Sequence, residues 1–371
     1  MAGASPTVTD PRRDVPRLIA TAVGRTAVSV LIPLVAFVVL YAGFIFLRDA
    51  QAPKLVVVLV AIAWGVGGIG LLYLVSNWLV ERLPGAWKGR VLPFVFVGPA
   101  FAILSFYLLI PAVLTVISSF QNATSTDWVG LDNYVYAFTN SAMITAIRNN
   151  VLWLIVGTGL STGLGLAIAV LADRSRLDRL AKTLIFLPMA ISFVGAGIIW
   201  RFVYSFQPEG QPQIGLLNAI LNVFGIAPQS WLTGEPLNTI LLIVILVWGQ
   251  TGFAMVILSA ALKGVPDEML EAGRIDGATE WQIFRRIIFP SIWPTVVTVA
   301  TTVAILTLKI FDIVATMTGG NFKTDVIATL QYQQMFRFFD FGRGSALAVI
   351  LLIAVTPVIW YNLRQFRARG I

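Results

Sequence analysis

Side chains able to do chemistry are scarce in this chain, and they fall into two sets. Among 371 residues there is no histidine and no cysteine. That removes thiolate nucleophiles, disulfides, zinc-type ligand sets, imidazole bases and imidazole proton relays. No Gly-x-x-x-x-Gly-Lys-Ser/Thr run occurs, so the chain cannot cradle ATP through a P-loop. The first set is charged: Asp267, Glu268, Glu271, Arg274, Asp276, Glu280, Arg285 and Arg286 crowd one short segment. The second set stands inside apolar runs: Met189, Ser192 and Phe193; Trp248, Gln250 and Phe253; Thr302, Lys309 and Asp312. Sugars are held by hydrogen bonds to their hydroxyls and by aromatic faces on their C–H surfaces. The second set therefore suits a polar solute path, although each residue taken singly suits helix packing as well. No catalytic residue, no metal site and no cofactor is expected.

The elements that carry these residues must lie in lipid. Hydrophobic residues make up 57% of the chain and charged residues 12%, about half the charge of a soluble domain. A bilayer core takes roughly 20 apolar residues per helix, and eight stretches qualify: about 26–47, 55–80, 92–119, 149–172, 184–206, 237–262, 292–316 and 344–363. The expected fold is an all-α membrane protein of eight transmembrane helices with both termini on one side. The polar lead 1–25 is too long for the n-region of a signal peptide, and the run after it is too long for an h-region, so the first helix reads as retained.

Charge fixes the orientation. With the N-terminus inside, the inner segments hold 18 Lys and Arg and the outer segments seven, with Lys309 left within a span. This is the positive-inside pattern, and it accounts for the formal net charge of +8 without any nucleic-acid partner. The long outer loop 207–236 contains Leu216–Phe224, which reads as a short surface helix. Gly65-Val66-Gly67-Gly68-Ile69-Gly70 spells a dinucleotide fingerprint but lies inside an apolar run with no strand before it, so close helix packing is the better reading. Gly159-x-x-x-Gly163 and Gly157-x-x-x-Ser161-x-x-x-Gly165 read the same way.

Two patterns deserve separate treatment. Lys309 and Asp312 each cost about 2.5–3.5 kcal/mol at a membrane helix centre. At i and i+3 they share a face and can pair; they are either a self-satisfying pair or part of a polar wall. In the loop 263–290, Val265, Met269, Ala272 and Ile275 recur at helical spacing. Asp267 and Glu268 suit a first turn after Pro266, Gly277 can break that helix, and Thr279-Glu280-Trp281-Gln282 fits a capping box that starts another. Trp281, Phe284, Ile287 and Ile288 form the second apolar stripe. The loop is expected to be two short helices joined at a glycine bend.

The segment Glu271-Ala272-Gly273-Arg274-Ile275-Asp276-Gly277-Ala278, followed by Ile287-Ile288-Phe289-Pro290, resembles the EAA signature of ABC-importer permeases, with Gly273 for the second Ala and Phe289 for Leu. Phe311-Asp312 with Thr318-Gly319-Gly320, Leu184–Ser192 and Met335–Gly344 resemble the maltose-type sugar permeases, closest to the α-glucoside branch. The resemblance covers roughly 91–371. It implies a cytoplasmic tail (1–25), two additional N-terminal helices (26–90), and a six-helix permease domain (91–371) with its coupling loop at 263–290. It assigns ATPase coupling to Glu271, Ala272, Gly273, Asp276, Gly277, Ala278 and Pro290. It implies a second homologous permease, two ATPase subunits, an extracytoplasmic sugar-binding protein and a bacterial-type inner membrane. An ion-coupled secondary transporter and a non-transporting scaffold are the alternatives.

Overall fold

The computed structural model describes residues 31–49, 51–83, 85–173, 178–208 and 210–368. The basic tail 1–25, the first residues of the first expected span, Arg174, Arg176, Glu209 and Arg369 lie outside the described residues. Among the described residues the regular elements are all helices, and the sole β feature is an isolated bridge between Gln121 and Trp128. It divides into two units, up to Pro111 and from Ala112 onward.

The first unit holds α1 (Leu31–Asp49), α2 (Lys54–Glu81) and most of α3 (Trp87–Ser118). These helices are apolar on every side and bury almost nothing, as helices solvated by lipid do. Trp64 Nε1 donates to the Leu40 carbonyl at 2.9 Å, with its ring over Gly43. Of the glycines at 65, 67, 68 and 70, only Gly68 meets a neighbour, the Leu40 side chain. The tight packing expected of that run therefore holds at one position. In α3 the ladder widens to a π-helical stretch at Ser105–Leu109, just ahead of Pro111, which has no N–H to give.

The second unit contains α4 (Asp132–Thr139), α5 (Ser141–Asp173), α6 (Asp178–Ala190), α7 (Phe193–Val203), α8 (Leu216–Val223) and α9 (Leu237–Lys263). It continues with α10 (Asp267–Ile275), α11 (Glu280–Leu308), α12 (Asp312–Met317), α13 (Ile327–Tyr332) and α14 (Phe341–Ala368). Helix α9 is the axis, buried for most of its length. Lipid tails are as apolar as leucine, so membrane helices associate through close fit rather than water exclusion. Small residues supply that fit here. Leu246 packs over Gly157, and a Cβ on Gly165 would lie 2.5 Å from Ala254 Cβ. Gly159 and Gly163 face open space instead, so only one of the two predicted glycine faces of α5 is used within the chain. One buried cluster joins Trp153, Tyr204, Leu242, Leu246, Ile310 and Ile313; another joins Ala169, Ala254, Met255, Leu258, Ile292 and Val299.

Among the described residues, seven helices are long and apolar enough to cross a membrane: α1, α2, α3, α5, α9, α11 and α14. The bent pair α6 and α7 makes eight if it is one span. That pair corrects the straight fifth span expected at 184–206. The chain turns by 103° between Ala190 and Phe193. Leu187–Ala190 tightens to a 3₁₀ turn around Pro188, Ile191 is extended, and Ser192 starts α7 by accepting the Gly195 N–H at 3.1 Å.

The seventh span also differs from the expected 292–316. Helix α11 runs in from the loop at Glu280 and stops at Leu308. Lys309 and Asp312 therefore do not share a helical face, and no ion pair joins them among the described residues. Three buried asparagines hold the irregular backbone that follows. Asn150 donates to the Leu308 carbonyl and accepts the Ile327 N–H. Asn149 donates to the carbonyls of Lys323 and Asp325, and Asn238 to that of Phe322, all at 2.8 Å. Side-chain amides here replace the missing helical bonds.

Candidate functional site

The charged loop folds as two helices with a glycine turn. Helix α10 ends in a Schellman motif: the Ala278 N–H reaches the Gly273 carbonyl and the Gly277 N–H that of Arg274, both at 3.0 Å. Gly277 sits at φ +76, in the left-handed region that glycine enters freely. Thr279 and Gln282 close the capping box that starts α11, and Arg274 pairs with Glu280 across the turn at 3.0 Å. A π-helical stretch at Phe284–Ile288 follows, and Pro290, which has no N–H to return to the preceding turn, stands just after this widening of the ladder.

The faces differ from the amphipathic reading. Val265, Gly273 and Ile283 are buried. Met269, Ala272 and Ile275 point outward, with Ile275 85% exposed. The stripe is therefore split, with Val265 buried and the other three facing away from the chain, beside Glu271, whose exposed carboxylate has no partner among the described residues. Asp276 and Gly277 are exposed and Ala278 half-buried. Gly273, inside α10, is where the two helices come closest: a Cβ there would lie 2.9 Å from Ile287 Cδ1, the end of a flexible side chain that must shift to admit alanine.

A charged cluster that the sequence reading missed roots this knob. Asp173 at the end of α5 takes the Lys182 ammonium of α6 and the Ser259 hydroxyl of α9. Lys263 lies 3.7 Å from Asp173 and 3.6 Å from Asp178. The ends of three helices are tied together next to the start of α10. No periodicity marks such a cluster, because its members come from three separate segments.

Six of the nine residues in the second set line one of two cavities. One, of about 250 Å³, opens at the α6–α7 bend and is lined by Pro188, Met189, Ser192, Phe193, Trp248 and Gln250. Five predicted path residues meet here. Gln250 is 7% exposed, and its amide finds no partner among the described residues. The other cavity, of about 260 Å³, holds Lys309 against Phe311, Gln331, Tyr332 and Phe336. Its ring ladder has centroids 5.3 Å apart for Phe311–Tyr332 and 5.1 Å for Tyr332–Phe336. Phe311 and Phe336 enter the sequence reading only as part of a family resemblance and Tyr332 not at all; an i, i+4 aromatic pair at 332 and 336 was the available signal. Phe253, Thr302 and Asp312 line neither cavity. Phe253 packs into the α5–α9–α11 core, and the Thr302 hydroxyl donates to the Thr298 carbonyl of its own helix at 2.9 Å.

A helical membrane bundle with a two-helix knob beyond its spans, and with largely apolar cavities that each hold a polar side chain, has the architecture of a membrane permease. The chain belongs to the binding-protein-dependent transport system inner membrane component family, which matches residues 159–367. It is a multi-pass inner-membrane permease subunit of an ABC importer and not the ATPase, which sets aside the ion-coupled and scaffold alternatives. Such an importer combines the permease with an ATPase and a periplasmic binding protein. The chain is 54% identical over 275 residues to the osmoprotective compounds uptake permease protein GgtC of Synechocystis sp., covering 74% of this chain and 99% of that protein. It is 50% identical over 274 residues to the alpha-glucoside transport system permease protein AglF of Rhizobium meliloti, covering 74% of this chain and 82% of that protein. In fold it is similar to a chain of a bacterial ABC transporter that imports the acidic polysaccharide alginate. The TM-score is 0.66 at 22% identity, over 76% of this chain and 99% of that one.

Proposed function

We propose that this permease carries α-glucosides or related oligosaccharides inward by alternating access, and that α10 with the start of α11 couples it to the ATPase. The cavity at the α6–α7 bend carries the substrate reading. It combines an unpaired, nearly buried amide at Gln250 with the faces of Phe193 and Trp248, the pairing of donor–acceptor and aromatic surface that a sugar needs. The bend itself provides a joint about which the cavity wall can turn. The outward apolar stripe and the free Glu271 carboxylate support the coupling reading, since both await cover from a partner.

The full machine in this reading has a second homologous permease, two ATPase subunits and an extracytoplasmic sugar-binding protein, with both termini of this chain in the cytoplasm. ATP-driven closure of the ATPase pair shifts the knob, the cavity turns outward to receive sugar, and hydrolysis returns it inward. Identity to GgtC favours a second reading, in which the solute is an osmoprotective compound. Uptake of radiolabelled α-glucoside by the reconstituted complex, with unlabelled osmolytes as competitors, separates the two. Gln250→Leu should lower uptake while assembly and basal ATP hydrolysis stay near wild type. Unchanged uptake in Gln250→Leu combined with Trp248→Leu would remove the cavity from the path.

A further inference from the structure

We infer that α8 and the turn after it form a membrane-surface anchor whose apolar face lies in the lipid headgroup and acyl boundary. The helix is built inside out. Asn218 is fully buried, while Leu216, Ile220 and Val223, at i, i+4 and i+7, point away from the chain. Val223 is 82% exposed and Phe224 74%. Such a face is costly in water. It is also held rigidly rather than left to fold over. The Ile226 N–H reaches the Leu221 carbonyl and the Gly225 N–H that of Asn222, both at 3.0 Å, with Gly225 at φ +67. This closes the helix and projects Phe224 and Ile226.

The height of the helix is fixed by Asn218. Its amide donates to the carbonyls of Ser205 and Gln229, and its carbonyl accepts from Gln229 N–H and Trp231 Nε1. Ser205 lies two residues beyond the end of α7, and Gly215 sits hard against its carbonyl. The helix is therefore bolted at the level where α7 leaves its apolar run and just before α9 begins. Ile198 and Phe202 on α7, and Phe206 just past its end, are exposed apolar side chains as well. The stretch 202–234 contains no Lys or Arg and a single acidic residue, Glu209. An exposed apolar face level with the end of a span, close to a tryptophan, fits a helix lying in the interface. The exposed polar residues beside the patch, Asn222, Gln229 and Ser230, carry no charge.

The chain has no cysteine, so single-cysteine variants report cleanly. Ile220→Cys, Val223→Cys, Phe224→Cys and, as control, Asn222→Cys are spin-labelled in the assembled transporter. The complex sits in nanodiscs of phosphatidylethanolamine and phosphatidylglycerol. Power saturation then compares collision with oxygen, which concentrates in lipid, and with a water-soluble nickel chelate. Labels at 220, 223 and 224 should show an oxygen-to-nickel ratio severalfold above that at 222, unchanged when the binding protein is added. Nickel access equal to oxygen access at 224 would place the face in water and overturn the inference. Loss of access to both reagents, or shielding only after the binding protein is added, would assign the face to a protein partner and overturn it as well.

Discussion

Gly277 isolates backbone conformation from packing better than any other position in the knob. Its φ is +76, and a Cβ there would meet nothing within 4 Å. A substitution therefore costs only what a side chain pays to enter the left-handed region, about 1–2 kcal/mol for an ordinary L residue. Asparagine pays less because it tolerates that region, and a β-branched residue pays more. The turn is local, so the cost falls on the population of the correctly bent knob rather than on global unfolding. A penalty of one or two kcal/mol is a factor of roughly 5–30 in that population. Gly277→Asn, Gly277→Ala and Gly277→Val should then weaken ATPase binding in that order. The assay is titration of purified ATPase onto the permease in nanodiscs, with sugar-coupled ATP hydrolysis measured in parallel and membrane insertion unchanged in all three. Equal affinity for wild type, Ala and Val would refute the bend. A defect as large in Asn as in Val would show that a partner's surface, not φ, sets the requirement.

Three further outcomes follow from the same geometry. Glu271→Ala should leave the isolated permease within about 0.5 kcal/mol of wild-type stability, as exposed positions do, yet cost roughly 3–5 kcal/mol of ATPase affinity if the carboxylate is desolvated on docking. A loss within the 0–1 kcal/mol typical of surface pairs would return the loop to plain solvent. Asp173→Asn removes the shared acceptor of Lys182 and Ser259 and should cost about 1.5–3 kcal/mol, the range for hydrogen bonds to charged groups. A double-mutant cycle of thermal unfolding with Lys182→Met checks this, and additivity within roughly 0.5 kcal/mol would show that the pair is not coupled. Burial pushes the Asp325 carboxyl above the ordinary carboxylate range, while Thr329 and Gln333 pull the other way. The folded chain then holds this proton more tightly than the unfolded chain does. Stability falls as pH rises from the unfolded carboxylate pKa through the raised folded one, and Asp325→Asn should flatten that part of the unfolding profile.

Hydropathy alone located the spans, because length and apolar content are what lipid requires of a helix. Spacing located the knob too: Thr279 and Gln282 formed the capping box, and Gly277 the bend. The errors came where tertiary hydrogen bonds override a local pattern. Lys309 and Asp312 looked like an i, i+3 pair, but Asn150, some 160 residues earlier, takes the Leu308 carbonyl and lets the helix end there. Pro188 marked a disturbance without giving its size, since the 103° turn also needed Ser192 as a cap. The spacing of Val265, Met269, Ala272 and Ile275 gave one stripe, but not that Val265 is buried while Met269 and Ile275 are exposed. Gln250 could be named as polar at depth, but its lack of a partner is a property of three dimensions.

The coupling claim is tested most directly at Ile275, which lies bare on the knob. With no cysteine in the chain, Ile275→Cys gives one thiol whose alkylation by a charged, water-soluble maleimide can be timed with and without the ATPase. If α10 is the coupling element, assembly should slow the reaction severalfold, and a control thiol at Thr233→Cys in the 207–236 loop should react at the same rate in both states. An Ile275→Cys rate that stays the same once the ATPase is bound would contradict coupling through this knob.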